Sequence, residues 1–578
     1  MKNKKIEMPS AFTILIVITA VVAVLTWVIP ASKYVNIEAG QEKALVHVPL
    51  DRDRLYDIEQ AGQALKTKRG EYAQELAAIV LAENPSLSKP LQEQVPLTML
   101  HYLETGDSGV ANSSKNIPSK QGIWNVISAP IEGFFGAKDV ALFILVIGGF
   151  VGVVMKTGAL DATIGSLIKK MRGKEILLIP MLMLIFAIGG TTYGMCEETI
   201  AFYPIIIPVF LAAGFDLMTG FAVILIAAGV GVLASTTNPF ATGVASSVVG
   251  LGLGDGMVLR FIMWVVLVGI SIAYVMAYAK KVKATPTLSI VRDVALPESM
   301  QKDTSQEVAF TPRRKLVMVL FAITFGVMIL GVIPWDFKFG IPIFTNIYNA
   351  TAKLSRIFGL QPTTAASYWH NYDMIPTHCA ALGDWYFGQL SVWFLVMAVI
   401  IGIASGMKEK ELIKTFMTGV RDLVSVALIV GLSRGIKVVM EFGGMDSTIL
   451  RAGELALKNT SPVLFTSLAY IFNIPLALLI PSTSGLANAT MPIVGGLAGS
   501  VFSGAGLGAA HGQALAITAF QSASGIVNLV SPTSGAVMGA LALAGIGYGQ
   551  LLKFMGKLLG ILFLATIILL SVGVFLPI

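Results

Sequence analysis

Apolar residues gather along the chain in runs that are long enough to cross a lipid bilayer as helices. One such crossing takes about 20 predominantly apolar residues. The runs predict nine crossing helices. In chain order they cover residues 12–29, 140–155, 219–249, 257–278, 316–333, 390–403, 423–440, 513–543 and 551–574.

Two further apolar segments, 176–210 and 463–502, are each interrupted midway by small and polar residues. We expect arms of about 12–15 residues, which reach only about 20 Å at the helical rise of about 1.5 Å per residue. A membrane tolerates irregular backbone only where it faces protein or a water-filled cavity. These segments therefore predict two re-entrant hairpins.

Between the first two crossings the pattern becomes polar. Residues 33–139 hold 25 of the 75 charged residues, 11 Lys and Arg against 14 Asp and Glu, which suits a subdomain outside the membrane. The predicted division is an N-terminal transmembrane helix at 1–31, an extracytoplasmic insert at 32–138, a first inverted repeat at 139–280, a cytoplasmic loop at 281–315, connecting helices with an external loop at 316–420, and a second inverted repeat at 421–578.

Basic residues predict the orientation, because cytoplasmic loops carry an excess of Lys and Arg. With nine crossings, the basic clusters all fall on one side. They are Lys2/Lys4/Lys5, Lys169/Lys170/Arg172/Lys174, Lys280/Lys281/Lys283 with Arg313/Arg314/Lys315, and Lys408/Lys410/Lys414. We expect a multi-pass protein of a bacterial inner membrane, with its N-terminus in the cytoplasm and its C-terminus and insert outside.

The two halves of the chain repeat each other. Residues 153–164 align with 438–449 at an offset of 285, and seven of the twelve positions are identical. Residues 238–261 also align with 531–554, at an offset of 293. The predicted topology places Lys156 inside and Glu441 outside, so the copies have opposite orientations, as in many secondary transporters.

Polar breaks recur at matched positions of the two repeats. Broken helices leave backbone groups unpaired. Their carbonyls, with Ser, Thr and Asn oxygens, suit a small cation such as Na⁺, and their N-termini suit a carboxylate. The candidate Na⁺ ligands are Thr236, Asn238, Ser482, Ser484, Asn488, Ser531 and Thr533. The candidate substrate ligands are Thr192, Glu197, Glu198, Thr199, Asn238, Ser484, Asn488, Thr490 and Ser534. The alternative is that the small residues only allow helices to pack closely.

Glu197 and Glu198 are unusual because ionisable residues deep in a membrane generally face a site or a partner. They suit a cationic substrate group, Na⁺ or a coupling proton. The competing hypothesis is a buried salt bridge to Arg434 or Lys437. Arg434 has two interpretations of its own, a partner for a substrate carboxylate or a charge that extends to the end of its helix.

Composition excludes a water-soluble enzyme, since 55% of the residues are hydrophobic and 13% are charged, against roughly 25% charged in soluble domains. The net charge of +7 suits basic loops and does not predict nucleic-acid binding. Two cysteines in different surroundings predict no disulfide framework. The chain has no HExxH, Walker A or GxSxG motif, so we expect neither an enzyme nor an organic cofactor.

Three segments carry a resemblance to a known family: GGFVGVVMKTG at 148–158, RGKEIL at 172–177 and GMCEE at 194–198. With them the sequence resembles the YfcC branch of the DcuC family in the ion transporter superfamily. The resemblance implies an all-α membrane protein with a scaffold domain and a transport domain of hairpins and broken helices. It also implies an elevator motion, often driven by Na⁺, and a homodimer formed through the scaffold.

The resemblance further implies that Ser, Asn and Thr at the hairpin tips hold Na⁺ and a substrate carboxylate. Ser484, Asn488 and Thr490 approximate that pattern at the second tip, whereas the first tip has Cys196, Glu197 and Glu198 instead. We expect a secondary active transporter of a small charged metabolite, foremost an amino acid and with basic amino acid exchange as one form. The alternatives are a carrier of four-carbon dicarboxylates or short-chain acids and, from another class, an ion channel.

Overall fold

The protein is described by a computed structural model. It covers residues 11–109, 116–160, 162–163, 174–252, 254–294, 311–332, 335–336, 340–348, 381–383, 385 and 387–576. The first half contains α1 (Ala11–Val28), β1 (Ala31–Ala39), β2 (Glu42–Leu50), α2 (Arg52–Glu59), α3 (Leu65–Glu83), α4 (Lys89–Thr105), α5 (Ile123–Gly136), α6 (Lys138–Lys156), α7 (Leu178–Tyr193), α8 (Tyr203–Ala212), α9 (Leu217–Leu233), α10 (Val244–Val249) and α11 (Met257–Ala284).

The second half contains α12 (Pro312–Val332), α13 (Phe387–Ser405), α14 (Glu409–Gly443), α15 (Asp446–Leu457), α16 (Pro462–Leu479), α17 (Thr483–Gly504), α18 (Ala509–Asn528), α19 (Gly535–Ala544) and α20 (Tyr548–Gly573). Short 3₁₀ turns occupy Gly62–Ala64, Glu175–Leu177, Glu197–Phe202 and Pro286–Leu288, and Pro239–Gly243 forms one π-helical turn. Several residues used in the sequence analysis, and most of the predicted external loop, lie outside the described residues. These residues are Lys2, Lys4, Lys5, Lys169, Lys170, Arg172, Cys379 and Ile578.

Nine helices of the described residues are long and apolar enough to cross a membrane, but they are not the nine that the sequence predicts. Both arms of the second hairpin, α16 and α17, belong to this set, as does the first arm of the first hairpin. Helix α1 and three pieces of the two broken helices, α9, α10 and α19, have apolar runs of only 10–17 residues. The remaining piece, α18, has 20 residues but does not belong to this set either. The predicted number of crossing helices therefore equals the observed number, but the two sets contain different segments of the chain.

None of the four arms has the predicted length of about 12–15 residues. Helices α7, α16 and α17 are longer, with 16, 18 and 22 residues, and α8 is shorter, with 10. At the second tip only residues 480–482 leave the helical conformation. The Ser482 hydroxyl accepts a hydrogen bond from the Gly485 N–H, and this N-cap lets α17 begin at once.

Both long broken helices are present, and each breaks at candidate Na⁺ ligands, Thr236 and Asn238 in the first and Ser531 and Thr533 in the second. Helix α9 ends at Leu233 and α10 begins at Val244, while α18 ends at Asn528 and α19 begins at Gly535. We call residues 234–243 the first break and residues 529–534 the second break. The polar run at Gln521–Ser524 lies inside the continuous helix α18.

The insert adds an element that an all-α protein does not have. Strands β1 and β2 form an antiparallel hairpin, and α3 and α4 pack on it around a separate hydrophobic core. Arg52 fastens this unit to the membrane helices, because its guanidinium donates to the carbonyls of Ile29 and Gly443. The insert therefore lies at the end of the bundle where α1 and α14 end.

The two halves share one order of elements. In each half a long helix (α6 or α14) precedes two helices joined at a tip, a broken helix and a final long helix (α11 or α20). Corresponding helices contact each other, α6 with α14, α9 with α18 and α11 with α20. Gly148 and Gly419 allow the closest of these contacts, since a Cβ on Gly419 would lie 2.2 Å from the Gly148 carbonyl oxygen.

Candidate functional site

The first hairpin tip is hydrogen-bonded to the first break. Thr191, at the end of α7, donates its hydroxyl to the carbonyl of Ala234 at 2.9 Å. The Thr191 carbonyl accepts from the backbone N–H groups of Thr236 and Thr237 at 3.1 and 3.2 Å. Thr237 also donates its hydroxyl to the carbonyl of Thr192 at 3.1 Å. These bonds pair backbone groups that the end of α7 and the break would otherwise leave unsatisfied.

Asn238 stabilises the turn of the first break. Its amide oxygen accepts from the N–H groups of Phe240 and Ala241, and its amide nitrogen donates to the Ser235 hydroxyl at 3.2 Å. Gly194 passes close beside this side chain in the left-handed conformation, with a φ of +79°. A Cβ at Gly194 would lie 2.6 Å from the Asn238 oxygen, so the tip requires glycine there.

Helix α18 presents polar side chains to the same break. Gln521 donates to the Ser235 carbonyl at 2.9 Å and accepts from the Thr242 hydroxyl at 2.6 Å. Ser522 donates to the Leu233 carbonyl at 3.1 Å. Gln521, Ser522 and Thr242 are fully buried, so these bonds satisfy groups that water does not reach.

The next turns of α18 contact the second hairpin tip. The hydroxyls of Thr483 and Ser524 lie 3.1 Å apart, and the Asn528 amide nitrogen lies 3.5 Å from Thr483 and 3.4 Å from Ser524. A single helix therefore joins the first break to the second tip. We call this set the tip–break network; its members are Thr191, Ser235, Thr236, Thr242, Thr483, Gln521, Ser522, Ser524 and Asn528.

The other predicted residues of the second tip lie in the first turns of α17. Asn488 donates its amide to the Ser484 carbonyl at 3.0 Å, and the hydroxyls of Ser482 and Ser484 are 3.5 Å apart. Thr490 is buried and donates its hydroxyl to the Leu486 carbonyl within the helix. The structure brings Ser482, Ser484 and Asn488 together and gives Thr490 a local helical bond.

The second break contacts the first arm of the second hairpin. Thr533 donates its hydroxyl to the Leu478 carbonyl at 3.2 Å, and the hydroxyls of Ser531 and Thr533 lie 2.5 Å apart. Ser534 caps α19 by accepting from the Val537 N–H. The predicted Na⁺ ligands of the second half therefore lie in neighbouring segments. Ser482, Ser484 and Asn488 are at the second tip, and Ser531 and Thr533 are in the second break.

Glu197 and Glu198 lie in the 3₁₀ turn that follows the first tip. The Glu198 side chain is 7% exposed, and its carboxylate accepts from the Cys196 N–H at 3.1 Å. Thr199 donates its hydroxyl to the Cys196 carbonyl. The turn packs against α6, α9 and α19, which places the carboxylates between the tip and the helices of both halves.

Neither predicted salt-bridge partner pairs with these carboxylates. Lys437 pairs with Glu441 at 3.1 Å, and Arg434 donates to the Gly136 carbonyl. No ion pair among the described residues includes Glu197 or Glu198. The Lys437 ammonium lies near the second tip instead, 3.7 Å from where a Cβ on Gly485 would stand.

The whole chain matches one protein family. The profile of the DcuC family, described as the C4-dicarboxylate anaerobic carrier, covers residues 8–575. The chain belongs to the DcuC family. It is therefore a membrane transporter, and family membership agrees with the resemblance seen in the sequence.

Two relatives extend this DcuC-family assignment. An uncharacterised protein of Haemophilus influenzae is 30% identical over 587 residues, which cover 99% of this chain and 98% of that protein. YfcC of Escherichia coli K12, described as a proposed basic amino acid antiporter, is 28% identical over 458 residues, covering 76% of this chain and 79% of YfcC.

Two solved transporter structures align with this DcuC-family protein at 14% sequence identity. The YdaH transporter of Alcanivorax borkumensis gives a TM-score of 0.38, with 98% of each chain covered. MtrF of Neisseria gonorrhoeae gives 0.40, with 98% of this chain and 96% of MtrF covered. These scores are too low to establish a common fold.

Several members of the tip–break network were not among the ligands predicted from the sequence. Gln521, Ser524 and Asn528 recur at i, i+3 and i+7 in a helix whose other residues are mostly apolar or small, and this spacing places them on one helical face. A polar stripe of that kind is a usable signal. Thr242 carries no comparable signal, because only the π-helical turn brings its hydroxyl to Gln521.

We expect Gly525→Val to destabilise the protein and separate α18 from the first break. A Cβ on Gly525 would lie 2.3 Å from the Leu233 Cα, a backbone atom that cannot rotate away. Overpacking of this kind costs about 1–3 kcal/mol. Thermal unfolding of purified protein in detergent measures the effect. Gly269→Val is the control, because nothing lies within 4 Å of a Cβ there; equal melting temperatures for the two variants would contradict the close contact.

Proposed function

We propose that this transporter is a secondary active carrier of a small charged metabolite, with its substrate site at the two hairpin tips and the two breaks. The observation that supports this is the tip–break network, which concentrates hydroxyl, amide and backbone groups inside otherwise apolar helices. Hairpins and broken helices with such groups are where secondary transporters bind substrates and coupling ions. The inverted repeat, elevator motion and homodimer are parts of the same proposal.

An amino acid substrate is one form of the proposal. The Glu197 and Glu198 carboxylates have no ion-pair partner among the described residues, so they suit an ammonium or guanidinium group. The name given to the YfcC relative points to the same class, basic amino acids.

A dicarboxylate substrate has its own support. The Lys437 ammonium beside the second tip suits a carboxylate, and the family description names C4-dicarboxylates. An amino acid would place its opposite charges between the first tip and Lys437. A dicarboxylate would use Lys437 and the N-terminus of α17.

A screen of ligand-induced thermal stabilisation separates these two forms. A ligand that binds the folded state raises the melting temperature, and the stabilisation grows with the logarithm of one plus its concentration over its Kd. The screen uses arginine, ornithine, glutamate, succinate and fumarate, each with and without Na⁺. Stabilisation by arginine or ornithine alone supports the amino acid form, and stabilisation by succinate or fumarate alone supports the dicarboxylate form. A melting temperature unchanged by all small charged metabolites would contradict the proposal.

We expect Asn488→Ala to weaken the dependence of uptake on Na⁺. Its amide nitrogen donates to the Ser484 carbonyl, which leaves its oxygen to bind a cation together with the Ser482 and Ser484 hydroxyls. Asn473→Ala is the matched control, because Asn473 donates to the carbonyl four residues earlier on α16, away from the tip. Uptake assays across a Na⁺ series measure the effect. Wild-type Na⁺ affinity in Asn488→Ala would refute this site.

We also expect the C-terminus and the insert to lie outside the cytoplasm. The insert binds the ends of α1 and α14, whereas Lys156 and Arg314 lie together at other helix ends, where the basic clusters gather. Basic segments stay on the cytoplasmic side. Labelling of single cysteines with a membrane-impermeant reagent in whole cells measures this orientation. A C-terminal tag that is accessible only from the cytoplasm would contradict it.

A further inference from the structure

A cavity of about 350 Å³ opens where four helix ends meet, away from the tip–break network. Its walls come from the end of α6, the start of α12, the turn between α13 and α14, and the first turn of α14. None of its lining residues belongs to the candidate substrate or Na⁺ ligands. The lining residues that matter here are Lys156, Thr157, Arg313, Arg314, Gly406 and Glu411.

The charge of this cavity is positive. Among the described residues that line it, Lys156, Arg313 and Arg314 are basic and Glu411 is the one acid, so these side chains sum to 3 minus 1, or +2. Two of the lining residues are arginines, and a guanidinium group provides the planar donor geometry that phosphate oxygens accept. A divalent or monovalent phosphate group would therefore be bound by complementary charge.

Two turns pass close to the guanidinium groups of this cavity. Arg314 donates its Nε–H to the Thr157 carbonyl at 3.3 Å, and a Cβ on Gly158 would lie 3.2 Å from the same side chain. A Cβ on Gly406 would lie 3.6 Å from the Arg313 guanidinium. Gly158 and Gly406 both have the left-handed backbone, with φ of +66° and +86°. Each arginine side chain therefore lies against a turn whose left-handed backbone favours glycine.

Exposed apolar residues surround the cavity on the same three helices. Leu316 and Val319 follow the arginines on α12 and are 47% and 54% exposed. Ile403 precedes the cavity on α13 at 67%, and Ile413 follows it on α14 at 55%. A ligand with a phosphate group and a hydrocarbon chain could place the phosphate against the basic side chains of the cavity and the hydrocarbon against these apolar side chains. This arrangement favours a membrane lipid over a free anion.

We propose that this cavity binds the phosphate group of an anionic membrane lipid such as phosphatidylglycerol. Basic pockets between transmembrane helices on the cytoplasmic side bind phosphate head groups in this way. The site is independent of the proposed substrate. It ties the end of α6 to α12 and α14 through a lipid that contacts all three.

Native mass spectrometry of the full-length protein in detergent tests the proposal by titration with phosphatidylglycerol and, separately, phosphatidylcholine. Loss of a charged hydrogen bond changes affinity by about tenfold. We expect Arg313→Gln and Lys156→Gln each to weaken phosphatidylglycerol binding by about that factor, with little change for phosphatidylcholine. Glu411→Gln should tighten binding, a gain that misfolding cannot produce.

Lys410→Gln is the matched control, because it removes the same charge from the same helix end but does not line the cavity. A further arm adds inorganic phosphate alone: competition with the lipid supports recognition of the phosphate itself, and lack of competition supports a site that needs the whole lipid. Wild-type binding in Arg313→Gln and Lys156→Gln would overturn the proposal. So would a loss in Lys410→Gln as large as theirs, since it would reveal only general surface charge.

Discussion

Replacing Glu198 with Gln is expected to abolish uptake of cationic substrates while the protein folds and inserts normally. The carboxylate is buried and lacks an ion-pair partner among the described residues, so a substrate cation is the group that it would pair with. Removing one member of a buried charge pair costs about 2–5 kcal/mol, which is more than a tenfold loss of apparent affinity at about 1.4 kcal/mol per factor of ten. Competition by arginine, glutamate and succinate in uptake assays measures the selectivity.

Glu197→Gln tests the neighbouring carboxylate, and Glu132→Gln on the exposed face of α5 is the control for removal of a charge. If Glu198→Gln and Glu197→Gln both transport cationic and anionic amino acids in the wild-type ratio, the carboxylates do not select the substrate. The dicarboxylate form of the proposal then takes precedence, with Lys437 as the group to examine next. A loss of folding in both variants would instead assign the pair a structural role.

Replacing Gln521 with Leu is expected to abolish transport of every substrate class. Leucine has a similar size, but it removes the bond from Gln521 to the Ser235 carbonyl and the bond from the Thr242 hydroxyl to Gln521. These two buried groups then keep only a 3.4 Å contact with each other. Each unsatisfied group costs about 1–3 kcal/mol. The first break would then rearrange, and uptake would fall by at least about tenfold.

Thr518→Val is the matched control for this helix. Thr518 lies one turn before Gln521 and is also buried, but its hydroxyl bonds only to the Ala514 carbonyl within α18. We expect uptake by Thr518→Val to stay close to the wild-type level, with equal amounts of protein in the membrane. Equal activities of the two variants would show that the bond from α18 to the first break is not needed for transport.

The sequence predicts the features of this fold that depend on strong local signals. Pro239 and Pro532 stand beside Asn, Ser and Thr residues in apolar runs, and both broken helices occur there. Proline removes a backbone donor and disfavours the helical conformation of the residue before it. The sequence also predicts the family, because the three segments at 148–158, 172–177 and 194–198 resemble that family specifically.

Other features required information that the sequence pattern holds only weakly. Ser, Thr and Asn residues at 482–490 indicated a long irregular tip, but the Ser482 cap makes them compatible with the first turns of a helix. The β-hairpin at 31–50 was missed although Val35, Ile37, Val46 and Val48 alternate with less buried residues. The partners of Gln521 depend on the packing of α18 against α9, which no local pattern specifies.

Counterflow in proteoliposomes tests the central claim, that this protein is a carrier and not a channel. Vesicles containing purified protein are loaded with unlabelled arginine, or in parallel with succinate, and diluted into a trace of the labelled compound. A carrier predicts that label accumulates transiently above its equilibrium level and that the initial rate saturates with concentration for at least one of the two compounds. Flux that rises linearly with concentration and never exceeds equilibrium would contradict the account.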